Sequence, residues 1–510
     1  MDLEDGNGRQ RAEPAGATTG SPPGQVPGRR WWTLAVVSAA QLLVVLDGTI
    51  VNIALPSAQQ ALHMSDGNRH WAITTYALTF GGLLLIGGRV SGALGHRRAF
   101  LIGLLGFGVS SAQGGAAVNP VMLFGARALQ GAFAAVLAPA GLSLLAGTFT
   151  RARERDRAFG VFAAVGAAGS AVGLIAGGLL TEYADWRWCL YINVPIALVA
   201  ALGLALMPAD RPIAGTRGGL DVAGALLSLT GFTSVVYGFA RAESLGWGSG
   251  GVTMWLAGGM VLLVAFVVVE VRAAHPLLPM RVLAHRARAG AFLAITLMFV
   301  AMFGFYLFMS YYTQTVLGHS PVRAGLALII NALAALAGSM LIAGRLHGRV
   351  PPAALLVPGL LTAAAGMFVL TRLPAGSTDV FALYLLPALV LTGLGLGCFM
   401  PPTASLATEG MEGHDIGAAS AAYNAAQQLG AASGTALLNT LAAGATATYL
   451  ASRRNATADA AAVHGYTTAL TVAFVILMAA ALLTAVLLIT RRRPTAPSPD
   501  KTTPASTTTP

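Results

Sequence analysis

Apolar runs of about 20 residues recur along the chain, each closed by a short polar or basic segment. In hydrocarbon only a helix or a closed barrel satisfies its own backbone, and these runs lack the period-2 alternation of barrel strands. They therefore predict membrane-spanning helices. Fourteen spans are expected, beginning near Thr33, Trp71, Ala99, Val121, Ala158, Trp188, Leu220, Gly251, Ala289, Val322, Ala353, Val380, Ile416 and Thr467. The seventh and eighth, 220–240 and 251–271, make a complete apolar hairpin, followed by the Pro- and Arg-rich segment HPLLPMRVLAHRAR. The pattern predicts an all-α polytopic membrane protein in which two six-helix bundles face each other, with a two-helix insertion between them; many secondary carriers are built this way. The expected divisions are a disordered cytoplasmic tail (1–32), a first bundle (33–207), a linker with the hairpin (208–288), a second bundle (289–490) and a second disordered cytoplasmic tail (491–510).

Composition agrees with the pattern: 55% of the 510 residues are hydrophobic and 10% charged, far from the balance of a soluble domain. The net charge of +11 comes from arginines spread between spans, which argues against a nucleic-acid partner and for a report of topology. Twenty-two basic residues fall on the tails and the loops entered by even-numbered spans, against seven on the other loops. By the positive-inside rule both termini are expected in the cytoplasm of a multi-pass plasma-membrane protein. The polar start of the chain has no cleavable-signal pattern, so the first span is expected to stay as an anchor. Lys501 is the one lysine, which excludes a GxxxxGK phosphate loop and an intramembrane Schiff base. No HExxH pair, paired intramembrane acids or serine–histidine arrangement points to an enzyme. Cys189 and Cys398 read as small buried residues, and no metal or other cofactor is expected beyond the proton gradient itself.

The candidate chemistry lies in LDGTIVNIALP, where Asp47 sits deep within the first apolar run. An acid at that depth costs several kcal/mol unless it is neutralised. Asp47 lies eight residues before Leu55, or ~12 Å at 1.5 Å per residue; Arg127, the one base far from a span end, lies six residues into the oppositely running fourth span, or ~9 Å. The two share a level and are expected to meet, because leaving either unpaired is costlier. A static pair tying two helices together is one reading. The other is a proton switch: Arg127, a proton or a cationic substrate can each neutralise Asp47, and exclusion between the last two yields antiport.

Further polar and aromatic groups mark a candidate path for a small amphiphilic substrate, cationic or zwitterionic. Gln130 lies one turn from Arg127, and Gln41, Gly48 and Asn52 share a face of the first span. The ninth span crowds aromatics, Phe303 and Tyr306 among them, and ends at Gln314; such rings bind large apolar cations, and also serve as ordinary core or lipid contacts. Asn424 and Gln427 form a polar patch on the thirteenth span, suited to substrate or to hydrogen bonds between bundles. Gly169, Gly173 and Gly177 make a flat stripe for close helix packing, across which two bundles could rock. Trp186, Trp188 and Tyr191 read as an interfacial aromatic belt.

LDGTIVNIALP, RALQG in the fourth span, WRWCLYINVP entering the sixth, LDVAG opening the seventh and YYTQTVLGHSPVRAGLAL across the ninth and tenth together resemble the fourteen-helix drug:proton antiporters of the major facilitator superfamily. The resemblance covers about 33–493. It implies the major facilitator fold and export of drugs or self-made toxic metabolites in exchange for protons. It also implies proton coupling at Asp47 and Arg127, and gating by the loop that holds Arg89, Gly95 and Arg97 together with the glycine stripe. The chain departs from the family pattern at Gly92, Ala93 and His96 in that loop, at Leu174 where a proline is usual, and at Gln427 where many relatives have arginine. An uncoupled carrier or sensor of the same fold is therefore an alternative, and a membrane-embedded enzyme or lipid-handling protein a more distant one.

Overall fold

The computed structural model describes residues 27–149, 152–204, 221–273, 285–346, 349–374, 379–409, 414–453 and 456–489. Residues 1–26 and 490–510, which hold most of the tails expected at 1–32 and 491–510, and the stretches 205–220 and 274–284, most of which belong to the expected linker at 208–288, lie outside the described residues, as does Lys501. The described residues are almost wholly helical and contain no β-strand. Segments that continue one another are taken here as single helices: α1 (Pro27–Ala61), α2 (Trp71–Leu94), α3 (His96–Gly115), α4 (Pro120–Thr148), α5 (Ala152–Tyr183), α6 (Trp188–Leu204), α7 (Val222–Leu245), α8 (Gly250–Arg272), α9 (Arg286–Val316), α10 (Pro321–Leu346), α11 (Ala353–Leu370), α12 (Phe381–Ala407), α13 (His414–Ser452) and α14 (Ala458–Ile489). Among the described residues nine helices are long and apolar enough to cross a membrane, or ten with α2, which bends by 59° between Leu84 and Ile86. Length and apolarity alone therefore establish fewer spans than the fourteen expected.

Capping side chains set several helix starts. Asn119 accepts from Met122 N ahead of Pro120, Asp221 accepts from Gly224 N, and Ser249 and Ser320 cap α8 and α10, each oxygen taking up a backbone N–H that the helix leaves unpaired. Between α2 and α3 the chain turns at Gly95 with φ of 85°, a conformation that favours glycine. Several helices start before their expected positions, α1, α5 and α14 by six residues or more. α1 begins at Pro27, within the expected tail, and Trp32 Nε1 donates to Gly203 O at 2.8 Å. α14 begins at Ala458, because its polar first turns extend beyond the apolar run.

Helices α1–α6 pack among themselves, chiefly α2 and α3 on α4 and α1 on α5. Helices α9–α14 do likewise, with α11 on α12 and α14 and α9 on α13 and α14. α7 and α8 pair, and α7 leans on α2 and α13. The two groups meet where α2 packs on α13 and α5 on α10. The glycine stripe makes the α1–α5 contact: a Cβ on Gly169 would lie 3.1 Å from Leu42, one on Gly177 3.0 Å from Ile50 O, and one on Gly173 against Thr49. Gly178 turns to the other side, against Pro321 and Val322 of α10.

Candidate functional site

Asp47 and Arg127 meet in the interior of the α1–α6 group. The side chains are 0% and 2% exposed, and Arg127 Nη1 lies 2.5 Å from Asp47 Oδ2. Arg127 Nη1 also donates to Gln130 Oε1 at 2.9 Å, and Nε donates to Ala72 O at 3.0 Å. Asp47 Oδ1 accepts from Gln130 Nε2 at 3.1 Å and from Asn193 Nδ2 at 2.8 Å. Behind these amides, Ser111 Oγ accepts from Gln130 Nε2 and Asn193 Nδ2, each at 2.9 Å, and donates to Leu190 O at 2.7 Å. The Tyr76 ring covers the guanidinium, 4.3 Å from Arg127 Cζ to the ring centroid. Five helices thus converge on one carboxylate, and every hydrogen aimed at it comes from a nitrogen. The pattern is complete with Asp47 as an anion; a hydroxyl there would set hydrogen against hydrogen. Beside the pair, toward the α1–α2 turn, lies a cavity of ≈ 10 Å³ walled by Arg127, Leu123, Trp186 and Cys189, room for about one water.

A second network joins the two helix groups at the end of the molecule that carries the 62–70 turn. Arg69 is buried there, donating from Nε to Asn439 Oδ1 and from Nη1 to Asp66 Oδ1, both at 3.0 Å, with its guanidinium 3.9 Å above the Tyr311 ring. Asn439 Nδ2 donates back to Asp66 O at 2.8 Å, and Tyr311 OH donates to Gln59 Oε1 at 2.6 Å. Nearby, Ser310 Oγ donates to Asn52 O, Gln314 Nε2 to Ile53 O, and Val322 N to Glu182 Oε2. His70 is fully enclosed beside Arg69; burial lowers its imidazole to about 4, opposed by a hydrogen bond with the Gly67 backbone and assisted by the Arg69 charge. Together these bonds hold that end shut.

The structure brings Asp47, Arg127 and Gln130 together and distributes the other candidate residues around them. All polar groups of Gln130 are engaged within the network. Gln314 bolts α9 to α1, and Tyr306 OH donates to Asn331 Oδ1 at 2.9 Å, within the α9–α14 group. Phe303 stacks on Phe299 at 5.9 Å. Asn52 turns its amide onto its own helix, at Gly48 O and Thr49 O. Gln41 and Gln427 are half-buried, Asn424 is exposed, and a Cβ on Gly48 would meet nothing within 4 Å, so that face of α1 borders open space. Arg97 Nη2 donates to Leu204 O at 2.9 Å, His96 Nδ1 bonds Ser91 Oγ at 2.8 Å, and Arg89 is half-buried. Trp188 is exposed as an interfacial ring would be, whereas Trp186 is buried at 4% and walls the cavity beside Arg127.

Sequence reasoning missed Asn193, Ser111 and the Arg69–Asn439 network. The signal for Asn193 was present: in WRWCLYINVP it is an amide inside an apolar stretch, overlooked among the aromatics. Ser111 gives no such signal, since serines are common in membrane helices and commonly bond their own backbone.

Comparison with known proteins agrees with this architecture. The solved POT family transporter PepTSo superposes with a TM-score of 0.64 at 15% identity, covering 91% of this chain and 99% of that one. A bacterial homolog of the human lysosomal transporter Spinster, in an inward-facing and unoccupied conformation, gives 0.63 at 15% identity, over 94% and 100%. At such identities the likeness shows the fold alone. In sequence, the puromycin resistance protein pur8 of Streptomyces alboniger is 54% identical over 453 residues, 88% of this chain and 90% of that protein. The cephamycin export protein CmcT of Amycolatopsis lactamdurans is 37% identical, over 80% and 84%. The family model of the Major Facilitator Superfamily matches residues 37–435, and with these relatives it shows that the chain belongs to that superfamily of membrane transporters.

Proposed function

We propose that this transporter exports amphiphilic antibiotics or other toxic small molecules, cationic or zwitterionic, across the plasma membrane in exchange for protons. The observation that carries the reading is the Asp47–Arg127 pair, sealed from solvent and bonded to four other helices' worth of donors and rings. A charge pair held that deep is expensive, and its use is that a proton and a cationic substrate compete for the same carboxylate. Exchange of a zwitterionic substrate for one proton moves one net charge with the potential and releases ~2.3 kcal/mol per 100 mV, or roughly 50-fold in accumulation; exchange of a monocation for one proton moves no net charge and is driven by the pH difference. The divisions 33–207 and 289–490 act as the two rocking bundles, with 208–288 as the insertion. The arginine bias puts both termini in the cytoplasm, so the 62–70 end faces outward and the conformation described is closed to the outside. Substrate enters along Gln41, Asn424 and Gln427, beside the open face at Gly48. Asn52, Gln130, Phe303, Tyr306 and Gln314 become accessible as the bonds around them open. Arg89, Gly95 and Arg97, with the glycine stripe, govern the cytoplasmic gate.

The test uses inside-out vesicles loaded with acid, with puromycin as first substrate because pur8 is named for resistance to it. The wild type takes up puromycin and its lumen turns alkaline; Asp47→Asn, inserted to the same level, does neither. Proton-driven uptake that survives in Asp47→Asn would falsify the reading. Leu174 and Gly92, where the antiporter pattern is broken, favour uncoupled carriage as the second reading, for which uptake proceeds with no change of lumenal pH.

A further inference from the structure

Two amides hold Asp47 Oδ1, and they are not equally bound. Gln130 is tied at three points, since its Oε1 also accepts from Arg127. Asn193 is tied only through its two amide hydrogens, to Asp47 Oδ1 and Ser111 Oγ, while its own Oδ1 is buried without a partner. Ser111 fixes the orientation: its hydroxyl is spent on Leu190 O, so toward the amides it can only accept. Asn193 must therefore present nitrogen to both oxygens, and the reverse orientation would face oxygen against the carboxylate. Its position suits a part that moves. It is the first residue of the second half of α6, after the break at Ile192 between Trp188–Tyr191 and Asn193–Leu204. The titratable groups facing Asp47 from the packed elements are Arg127 on α4, Tyr76 on α2 and Cys189 on α6; Arg127 remains a cation throughout.

We propose that Asn193, seated on Ser111, is a positioning residue that sets the pH at which Asp47 takes up its proton. Its amide is the donor that yields when the carboxylate becomes a hydroxyl. The proposal rests on Asp47 being the proton site. A hydrogen bond to the charged form favours that form, so removing one lets the proton bind at higher pH, by about one pH unit.

The experiment titrates the full-length protein in lipid nanodiscs by difference infrared spectroscopy, following the buried protonated-carboxyl band. In the wild type one such band titrates, and it is missing in Asp47→Asn. In Asn193→Leu the midpoint of that band rises by about one pH unit, in Ser111→Ala it rises less, and Asn193→Ser returns it toward the wild type. A midpoint unmoved in both Asn193→Leu and Ser111→Ala, whatever their thermal stability, overturns the proposal and leaves the coupling role of Asp47 standing. If no band is lost in Asp47→Asn, the coupling reading fails and the proposal falls with it. Should Asn193→Leu not fold, Ser111→Ala carries the same comparison.

Discussion

The closed end of the molecule depends on α5 and α10 approaching at van der Waals distance, and Gly325→Ala tests that dependence directly. A Cβ at Gly325 would lie 2.5 Å from Leu174 O and 3.3 Å from Leu174 C, against 3.4 Å for the near limit of an ordinary contact. The atom it meets is backbone in the middle of a helix and has no rotamer to escape into, so the two helices must part by about 1 Å. Overpacking of this kind costs about 1–3 kcal/mol. The cost falls only on the closed arrangement, so the ratio of open to closed shifts by roughly 5- to 150-fold. The assay places a cysteine at Ser310, fully buried between α9 and α1, in a background lacking Cys189 and Cys398, and measures its rate of maleimide labelling in membranes. Gly325→Ala should raise that rate within the stated range. Gly125→Ala, where the added methyl meets nothing within 4 Å, should leave it unchanged. Equal labelling in the two variants would refute the claim that close approach of α5 and α10 keeps this end shut.

The enclosed His70 gives the 62–70 end a pH dependence of definite sign. Its folded value of about 4 lies below the ordinary 6.5, so the unfolded chain binds the proton first: stability is level above about pH 6.5 and falls as pH drops toward 4, by roughly 3 kcal/mol in all, and His70→Gln should flatten Tm over that window in detergent. Arg127→Lys keeps the charge but loses the planar fork that reaches Ala72 O, Gln130 and Asp47 together, so thermal stability should fall by about 1–3 kcal/mol and puromycin uptake in vesicles by tenfold or more. Wild-type uptake by Arg127→Lys would show that charge alone suffices at that position.

Backbone physics in hydrocarbon left the chain little choice of class. An apolar run of about 20 residues must be helical there, so the starts of α2, α4, α6, α8, α10 and α11 fall at or within one residue of the positions expected from hydropathy. Depth was equally legible, because 1.5 Å per residue converts a place in the sequence into a level in the membrane; that is why Asp47 and Arg127 could be matched before their helices were seen. Azimuth was not. Whether Gln130 is spent on the carboxylate, whether Gln314 faces a substrate path or a carbonyl of α1, and whether Trp186 lies at the interface or against Arg127 all depend on which neighbour packs on which side of each helix. Periodicity along one strand of sequence carries no information about that neighbour. Arg69 shows the same limit from the other direction: a basic residue in a short polar turn reads as solvated, and only α9 and α13, packed from the far half of the chain, bury it against Tyr311 and Asn439. Asn193 and Ser111 join the site for the same reason. Their places were fixed by how α6 stacks on α1 and α3, a long-range packing outcome in which small residues and buried hydrogen bonds, rather than hydropathy, decide the arrangement.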